Sequence, residues 1–227
     1  MEQMKIIARI HTDFKTKFGI PRQSGVVEEL RGEIVFEPEF RSAEAVRGME
    51  DWSHIWLLWQ FSENLRSDWS PTVRPPRLGG NTHVGVFATR SPFRPNSIGL
   101  SCVKLERVEI DAERGPVIYV SGADLMDGTP IFDIKPYLPY ADCHPEAIGG
   151  FTDKTEFKTL NVEIPKNVQS SIPADKLNAL KGVLENDPRP HYHNDADRIY
   201  GFEFAGFEIH FKVCDNNLIV TEIDEVK

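Results

Sequence analysis

The pattern of apolar and polar positions predicts a chain built mainly from β-strands. The strand candidates are residues 6–10, 33–36, 54–61, 82–89, 103–110 and 117–120. Only His54 and Gln60 are polar within residues 54–61, and residues 82–89 show little polar alternation, so both segments are predicted to be buried on both faces. Turn-forming residues at 111–116 separate two of the strands, which is typical of a β-meander. The predicted fold class is therefore mainly β, with mostly antiparallel strands.

A different pattern marks the C-terminal part of the chain. One apolar helix face is predicted between Pro173 and Pro188, and strands follow at residues 198–204, 207–213 and 218–223. Residues 146–170 show little periodicity apart from a possible short strand at 160–164. We therefore predict a main domain over residues 1–145, a linker over 146–170 and a small α+β appendage over 171–227. Three strands and a helix are close to the minimum for a stable unit, so the appendage should dock on the main domain.

Composition narrows the class of protein. The 227 residues are 40% hydrophobic and 27% charged, as in ordinary soluble proteins, and no apolar run approaches the roughly eighteen residues of a membrane helix. Charges interrupt the apolar residues at the N-terminus, which does not resemble a signal peptide. The three cysteines are odd in number and far apart, which favours reduced thiols. We predict a cytoplasmic protein with no membrane association.

Charge is distributed unevenly along the chain. The net charge is −9, yet residues 66–104 hold six Lys or Arg residues and one acid. Within this stretch Pro92 and Pro95 stiffen a loop that carries Arg90 and Arg94, and planar guanidiniums on a stiff loop suit carboxylate, phosphate or ribose recognition. The alternative for the loop is a proline turn with two surface arginines. The alternative for the basic stretch is that its arginines are spread over the surface after folding and form no patch.

Other chemistries receive little support. The chain has no G-x-G-x-x-G after a strand, no phosphate-binding loop and no G-x-S-x-G motif. Cys143–His144 and His191-x-His193 lack a second ligand pair at finger-like spacing, so no metal is predicted. Three tryptophans could form a base-stacking platform, but aromatic residues in an apolar run are more often core, and we predict core positions for Trp52, Trp56 and Trp59.

Several motifs together carry a resemblance to a known family. They are RPPRLGGNTHVGVFATRSPFRPNSIGLS, DGTPIFDIKPYLPY, FGIPRQSG, VRGMEDWSHIWLL, DPRPHY and IYGFEF. These segments resemble the TsaA/TrmO family, the tRNA adenine N6-methyltransferases that use S-adenosylmethionine (SAM), and the resemblance covers nearly the whole chain. It implies a single-sheet β-barrel, a homodimer with the cleft near the subunit interface, and a tRNA anticodon stem-loop as partner. The implied reaction is N6-methylation of N6-threonylcarbamoyladenosine at position 37; the alternative is a non-catalytic SAM- or RNA-binding module on the same barrel.

The resemblance also implies a set of cofactor-binding residues. They are Pro21, Arg22, Gln23, Phe61, Ser62, Arg90, Leu100, Leu125, Met126, Asp127 and Gly128. SAM requires an apolar slot for adenine, acceptors for its ribose diol and amine, and donors for its carboxylate. Phe61, Leu100 and Leu125 are the predicted slot. Ser62 departs from the histidine expected of relatives, which puts a contact by that side chain in question.

Catalytic and RNA-binding roles are assigned to a second set. Asp127 and Asp133 are the predicted proton acceptors, and Tyr137 or Tyr140 are candidates for stacking on the acceptor base. The predicted RNA-binding residues are Arg74 and Arg77 on an exposed loop, with Arg94 and Lys135 as candidates for reading the threonylcarbamoyl carboxylate. In the purely local interpretation, the DGTP motif is a turn in which Asp127 bonds the backbone and Gly128 takes a positive φ.

Overall fold

A computed structural model describes residues 4–64, 68–155, 158–189 and 197–226. Six strands close into a barrel in the order β1–β2–β7–β6–β3–β8, with every neighbouring pair antiparallel. The barrel strands are β1 (Ala8–Thr12), β2 (Arg31–Phe36), β3 (His54–Gln60), β6 (Ile98–Asp111), β7 (Gly115–Ser121) and β8 (Thr129–Pro136). A separate two-stranded ribbon consists of β4 (Thr72–Val73) and β5 (Val84–Gly85). The predicted mainly β class with a mostly antiparallel barrel is confirmed.

Alternate residues of the barrel strands fill its interior. Ile10, Ile34, Leu57, Ile118 and Ile131 each have 0% exposed surface and belong to one apolar cluster. The opposite faces of the same strands are exposed or half-buried, as the alternation in β2 and β3 shows. Burial of branched aliphatic side chains at this density supplies most of the stabilising free energy of such a domain.

The second sheet forms the appendage. Its order is β10–β11–β12–β9, and it carries the twelve-residue helix α3. The elements after the barrel are α1 (Pro139–Asp142), β9 (Asn161–Glu163), α2 (Lys166–Gln169), α3 (Ala174–Glu185), β10 (Tyr200–Phe204), β11 (Phe207–Cys214) and β12 (Asn217–Glu225). β9 pairs in parallel with β12, so residues of the predicted linker 146–170 contribute to the appendage sheet.

The appendage docks on the N-terminal part of the chain, as expected for so small a unit. Phe14, Val27 and Leu30 are buried in the same apolar cluster as helix α3. An ion pair joins Lys176 Nζ to Asp13 at 2.7 Å with both side chains largely buried. The predicted domains are 1–145 and 171–227. We propose that β9 and α2, which lie in the predicted linker, belong to the C-terminal unit.

Two strand predictions are wrong in part. Residues 82–89 are not a strand buried on both faces: only β5 is extended, a 3₁₀ turn follows at Val86–Ala88, and the side chain of Phe87 is 72% exposed. Among the described residues the ribbon pairs with no barrel strand, and in the turn that follows it Val86 is buried whereas Phe87 is exposed. β3 exists as predicted but is buried on one face only.

The three tryptophans therefore differ. Trp59 lies in the barrel core with 7% exposure, whereas Trp52 is 37% exposed just before β3. Trp56 points to the outer face of β3, where its indole Nε1 donates to Asp142 Oδ2 at 2.9 Å. The core prediction is right for Trp59 and wrong for the other two: Trp52 precedes the strand, and the alternation of β3 places Trp56 on the face opposite to Trp59.

Candidate active site

The candidate site lies where β6 extends beyond β7. β6 pairs with β3 over residues 98–104 but with β7 only from Lys104 onward. The loop after Pro21 fills the gap: Ser24 Oγ accepts from the Cys102 amide at 3.1 Å, and the Gly25 amide donates to the Gly122 carbonyl at 2.9 Å. The predicted cofactor residues Pro21 to Gln23 are thus fixed beside the first half of β6.

The arginine loop reaches the same end of the barrel. Arg90 Nη1 donates to Gln23 Oε1, and Gln23 Nε2 donates to the Arg22 carbonyl. Thr89 Oγ1 donates to the Val86 carbonyl at 2.8 Å, which ties the start of the loop to the ribbon. The structure therefore brings together Arg90 and Gln23, two residues far apart in sequence, and leaves the Arg90 guanidinium exposed.

The arginine loop is also held on its far side. The Phe61 amide donates to the Ser97 carbonyl at 2.9 Å, and the Phe61 ring lies 4.3 Å from the Trp59 ring between centroids. Arg94 turns back on its own loop, since its Nη1 donates to the Thr89 carbonyl at 3.3 Å. Ser62 begins a single 3₁₀ turn directly after Phe61. These contacts make the loop stiff, as its two prolines predict.

A polar chain under the arginine loop was not predicted from the sequence. Trp59 Nε1 donates to Ser101 Oγ at 3.0 Å, and Ser101 Oγ donates to Asp124 Oδ1 at 2.6 Å. Burial raises the pKa of Asp124 to about 6, although the Ser101 hydroxyl and the charge of Arg90 oppose the rise. The sequence signal for Asp124 is the acid-rich stretch after Ala123, but the predicted site residues in that stretch are those of the motifs.

The DGTP segment is pinned to β1 instead. Asp127 accepts from Lys15 Nζ at 2.7 Å, from His11 Nδ1 at 3.1 Å and from the Thr12 amide at 3.2 Å. Partial burial acts to raise the pKa of Asp127, but these hydrogen bonds, that of Lys15 first, outweigh it and lower the pKa. Asp127 is consequently ionised and a weak proton acceptor at neutral pH.

The remaining DGTP residues serve as backbone anchors. The Leu125 side chain is 1% exposed in the barrel core, and its carbonyl accepts from Thr12 Oγ1 at 2.9 Å. The Met126 carbonyl accepts from Thr129 Oγ1 at 2.7 Å, and Gly128 has a φ of +75°. A positive φ here is the reason for glycine, because other residues adopt it only with strain.

Asp127 also borders a large cleft between barrel and appendage. This cleft has a volume of about 770 Å³ and includes none of Pro21 to Gln23, Arg90 or Leu100. Its charged side chains pair with one another, as in Lys15–Asp127, Arg31–Glu106 and Lys176–Asp13. Cleft size therefore points away from the arginine loop, but the charges named here already have ion-pair partners, and one of these pairs, Lys176–Asp13, joins the appendage to the barrel part of the chain.

The outer face formed by β6, β3 and β8 carries three more predicted residues, Leu100, Asp133 and Lys135. Leu58 is directly opposite Leu100 on one side and Asp133 on the other, so all three project outward in a row. Leu100 is 49% exposed, and Lys135 pairs with Asp133 at 2.7 Å. The side chains of Leu100 and Leu125 lie on opposite sides of the barrel wall, so the structure does not bring them into one slot.

The two predicted phosphate-binding arginines have different surroundings. Arg74, directly after β4, donates from Nε to His83 Nε2 at 3.0 Å. Arg77 borders a small cavity of about 70 Å³ with Pro21, Arg22 and Gln23. Desolvation and then the charge of Arg77 lower the pKa of Arg22, so this end of the barrel concentrates positive charge.

Some predicted features fall outside the described residues. Arg66 of the basic stretch does, as do residues 190–192 of the DPRPHY motif and the metal candidates His191 and His193. Within the described ranges, His210, Glu222 and Asp224 form the one group of three potential metal ligands, and two of them are exposed. No helix in those ranges is long and apolar enough to cross a membrane.

Comparisons with known proteins match the chain along almost its whole length. The family described as tRNA-methyltransferase O N-terminal domain matches residues 9–143, and the TrmO C-terminal domain family matches residues 157–226. The chain is 39% identical to the tRNA (adenine(37)-N6)-methyltransferase of Escherichia coli (strain K12), with 94% of each chain covered. It is also 39% identical to a putative S-adenosylmethionine-dependent methyltransferase RcsF of Pseudomonas aeruginosa, over 94% of this chain and 93% of that one.

A solved structure agrees with the sequence matches. The crystal structure of TrmO from Pseudomonas aeruginosa superimposes with a TM-score of 0.79 at 31% identity and covers 98% of both chains. The agreement extends over barrel and appendage together. The chain belongs to the tRNA-methyltransferase O family, as the motifs within residues 79–101 and 127–142 predict.

Proposed function

We propose that this protein transfers the methyl group of SAM to N6 of N6-threonylcarbamoyladenosine at position 37 of tRNA. The observation that carries the proposal is the full-length match to the E. coli tRNA (adenine(37)-N6)-methyltransferase, which spans 94% of both chains. The Arg90–Gln23 contact, beside the N-terminal end of β6, supplies a site for an anionic ligand group. The test is methyl transfer from SAM to tRNA, and a protein that binds SAM without turnover would instead be the non-catalytic module.

The residues around the arginine loop fit SAM chemically. Arg90 and Gln23 supply donors for a carboxylate or ribose, and the exposed Leu100 with the half-buried Phe61 supplies apolar surface for adenine. The resemblance implies backbone contacts from residues 125–128 as well, although the carbonyl groups of Leu125, Met126 and Gly128 already accept from Thr12, Thr129 and Arg9. Bound there, SAM supplies an electrophilic methyl group. We propose that Pro21, Arg22, Ser62, Met126, Asp127 and Gly128 complete the site.

Catalysis rests mainly on alignment, because the acceptor N6 shares its lone pair with the purine. The protein must hold that nitrogen in line with the methyl group and accept the departing proton. Both predicted acceptors pair with a lysine, Asp133 with Lys135 and Asp127 with Lys15, and Asp133 shares the outer barrel face with Leu100. We therefore favour Asp133, with Tyr137 or Tyr140 beside the acceptor base.

Recognition of the threonylcarbamoyl group requires a cation near the acceptor. Lys135 is 62% exposed on the same face as Asp133, and Arg94 lies on the arginine loop. Either side chain can meet the added carboxylate through a charge-assisted hydrogen bond. Both candidates already have a partner, since Lys135 pairs with Asp133 at 2.7 Å and Arg94 donates to two carbonyl groups of its own loop, so the added carboxylate would take over one of these contacts.

We propose an assembly and a compartment that are compatible with the exposed features of the described residues. Leu100 is 49% and Tyr140 86% exposed on or beside the outer face, and a homodimer that covers this face would enclose the site. Cys102, Cys143 and Cys214 form no disulfide, which suits the reducing cytoplasm. We propose a cytoplasmic homodimer on this basis.

Replacing Arg74 and Arg77 together by alanine should weaken the binding of all tRNAs alike. Phosphate contacts position RNA without reading its sequence, and each contributes about 0.7–0.9 to the slope of log affinity against log salt. The double variant should therefore lose about 1.4–1.8 of slope, measured by fluorescence anisotropy over a salt series. SAM affinity is measured in parallel, because Arg77 borders a cavity with the predicted cofactor residues Pro21, Arg22 and Gln23.

The matched control is the double variant Arg41→Ala/Arg114→Ala at the β6–β7 turn. Arg41 donates to the Phe36 carbonyl and Arg114 pairs with Glu33, far along β6 from the arginine loop. Its salt slope should equal that of the wild type. An unchanged slope in the folded Arg74/Arg77 variant would place the RNA face elsewhere, with Arg189 and Arg198 of the appendage as the next candidates.

A further inference from the structure

An aromatic pair protrudes from the protein beside the arginine loop. The rings of Trp69 and Phe87 lie 6.0 Å apart between centroids with an interplanar angle of 31°. Their side chains are 51% and 72% exposed, which is unusual for two large aromatic groups in contact. Neither residue is among the predicted cofactor, catalytic or RNA-binding residues.

The backbone around the pair is fixed by several hydrogen bonds. The Val86 amide donates to the Pro71 carbonyl at 2.9 Å, and Val86 itself is 1% exposed. Ser70 Oγ donates to the Thr72 carbonyl at 2.7 Å, directly after Trp69. With Val86 anchored inward, the 3₁₀ turn directs Phe87 outward. The aromatic surface is therefore preorganised, which lowers the entropy cost of binding a ligand to it.

Charge around the pair favours an anionic partner. Residues 68–97 contain four arginines and one acid, Asp68. Arg74 directly follows the ribbon strand β4, and Thr89, next to Arg90, donates to the carbonyl of Val86 in the turn that carries Phe87. Exposed aromatic rings flanked by arginines are the arrangement that proteins use to bind unpaired nucleic-acid bases, with stacking on the rings and phosphate contacts beside them.

We propose that Trp69 and Phe87 form a stacking platform for an unpaired base of the tRNA anticodon loop, next to the adenosine that is methylated. The inference rests on the proposed function and adds to it the surface that holds the loop. Only unpaired bases offer a free face for such stacking, and the anticodon loop is single-stranded where the acceptor lies. The bound base fixes the register in which the acceptor enters the site.

The test is the affinity of Trp69→Ala/Phe87→Ala for an anticodon stem-loop RNA. Base–aromatic stacking of one base corresponds to about 5- to 150-fold in affinity, so the double variant should bind the RNA more weakly by a factor in this range. The slope of log affinity against log salt should not change, because no phosphate contact is lost. This separates stacking from the loss expected for the Arg74/Arg77 variant.

Controls keep the result specific. Trp69→Phe/Phe87→Tyr preserves the ring faces and should retain most of the affinity, and Ile110→Ala removes a 62% exposed apolar side chain at the other end of β6 without effect. A series of stem-loops is prepared, each with an abasic site at a different position of the loop. Only the stem-loop that lacks the stacked base should bind the wild type more weakly. The Ala double variant should show no further loss there.

Three outcomes would overturn the platform. The first is unchanged RNA affinity in the folded double variant, and the second is an equal loss of affinity for the abasic stem-loop in the wild type and the double variant. The third is conversion of a dimer to a monomer by the double substitution, measured by sedimentation, which would assign the rings to self-association. The proposed function is tested separately by methyl transfer with wild-type protein. If wild type methylates tRNA while the variant binds RNA normally, only the platform is lost; if wild type neither binds nor methylates tRNA, the proposed function fails.

Discussion

Arg90→Ala is expected to weaken SAM binding about 10- to 150-fold. Arg90 donates to Gln23 on a loop that its neighbours hold rigid, so its guanidinium is positioned before any ligand arrives. Loss of one charge-assisted contact costs about 1.5–3 kcal/mol, which corresponds to this range. Isothermal titration calorimetry with SAM and with S-adenosylhomocysteine measures it directly, and both ligands should be affected because both carry the amino acid and ribose groups.

A matched variant separates the site from general charge. Arg114→Ala removes an exposed arginine at the β6–β7 turn, which is the far end of the long strand that leaves the arginine loop. Its SAM affinity should equal that of the wild type. Equal SAM affinity in wild type and Arg90→Ala would show that Arg90 does not contact SAM. The proposed site at the N-terminal end of β6 would then lack its main cationic group.

Gly99→Ala should destabilise the barrel by about 1–3 kcal/mol, as overpacking in a dense core generally does. A Cβ atom on Gly99 would lie 2.3 Å from Trp59 Cε2, and Trp59 is the residue paired with Gly99 across β6 and β3. Movement of the indole would also break its hydrogen bond to Ser101 and disturb Asp124. Urea unfolding followed by circular dichroism gives the change in free energy of unfolding.

Gly85→Ala provides the control for this prediction. Gly85 has nothing within 4 Å of the Cβ position, and its φ of −56° suits any residue. Its free energy of unfolding should change by less than about 0.5 kcal/mol. A Gly99→Ala protein as stable as Gly85→Ala would show that the Trp59 side chain moves aside freely, against the close packing described for the barrel.

Much of the fold could be predicted because it depends on local alternation. β3 and the appendage strands lie close to their predicted limits, and helix α3 begins directly after Pro173. The failure at Val86 and Phe87 has a physical cause. A run of apolar residues does not reveal which of its members the folded chain will cover, and here Val86 is 1% exposed whereas Phe87 is 72% exposed.

The motifs indicate which segments form the candidate site, but the side-chain contacts within it depend on the folded structure. Stiffness of the arginine loop follows from Pro92 and Pro95, but its contact with Gln23 depends on how the loop after Pro21 fills the gap beside β6. Asp124 escaped prediction because burial, which raises its pKa to about 6, is a property of the packed barrel. The ion pair between Lys15 and Asp127, distant in sequence, likewise emerges only when β1 meets the DGTP turn.

Methyl transfer to modified tRNA tests the central claim most directly. The measurement is mass spectrometry of nucleosides from tRNA incubated with the protein and SAM carrying a deuterated methyl group, with threonylcarbamoylated tRNA and tRNA lacking that modification in parallel. The account predicts that threonylcarbamoyladenosine is converted to a species heavier by one labelled methyl group, only in the modified tRNA and only with protein present. Absence of that species, or equal methylation of adenosine in the unmodified tRNA, would contradict it.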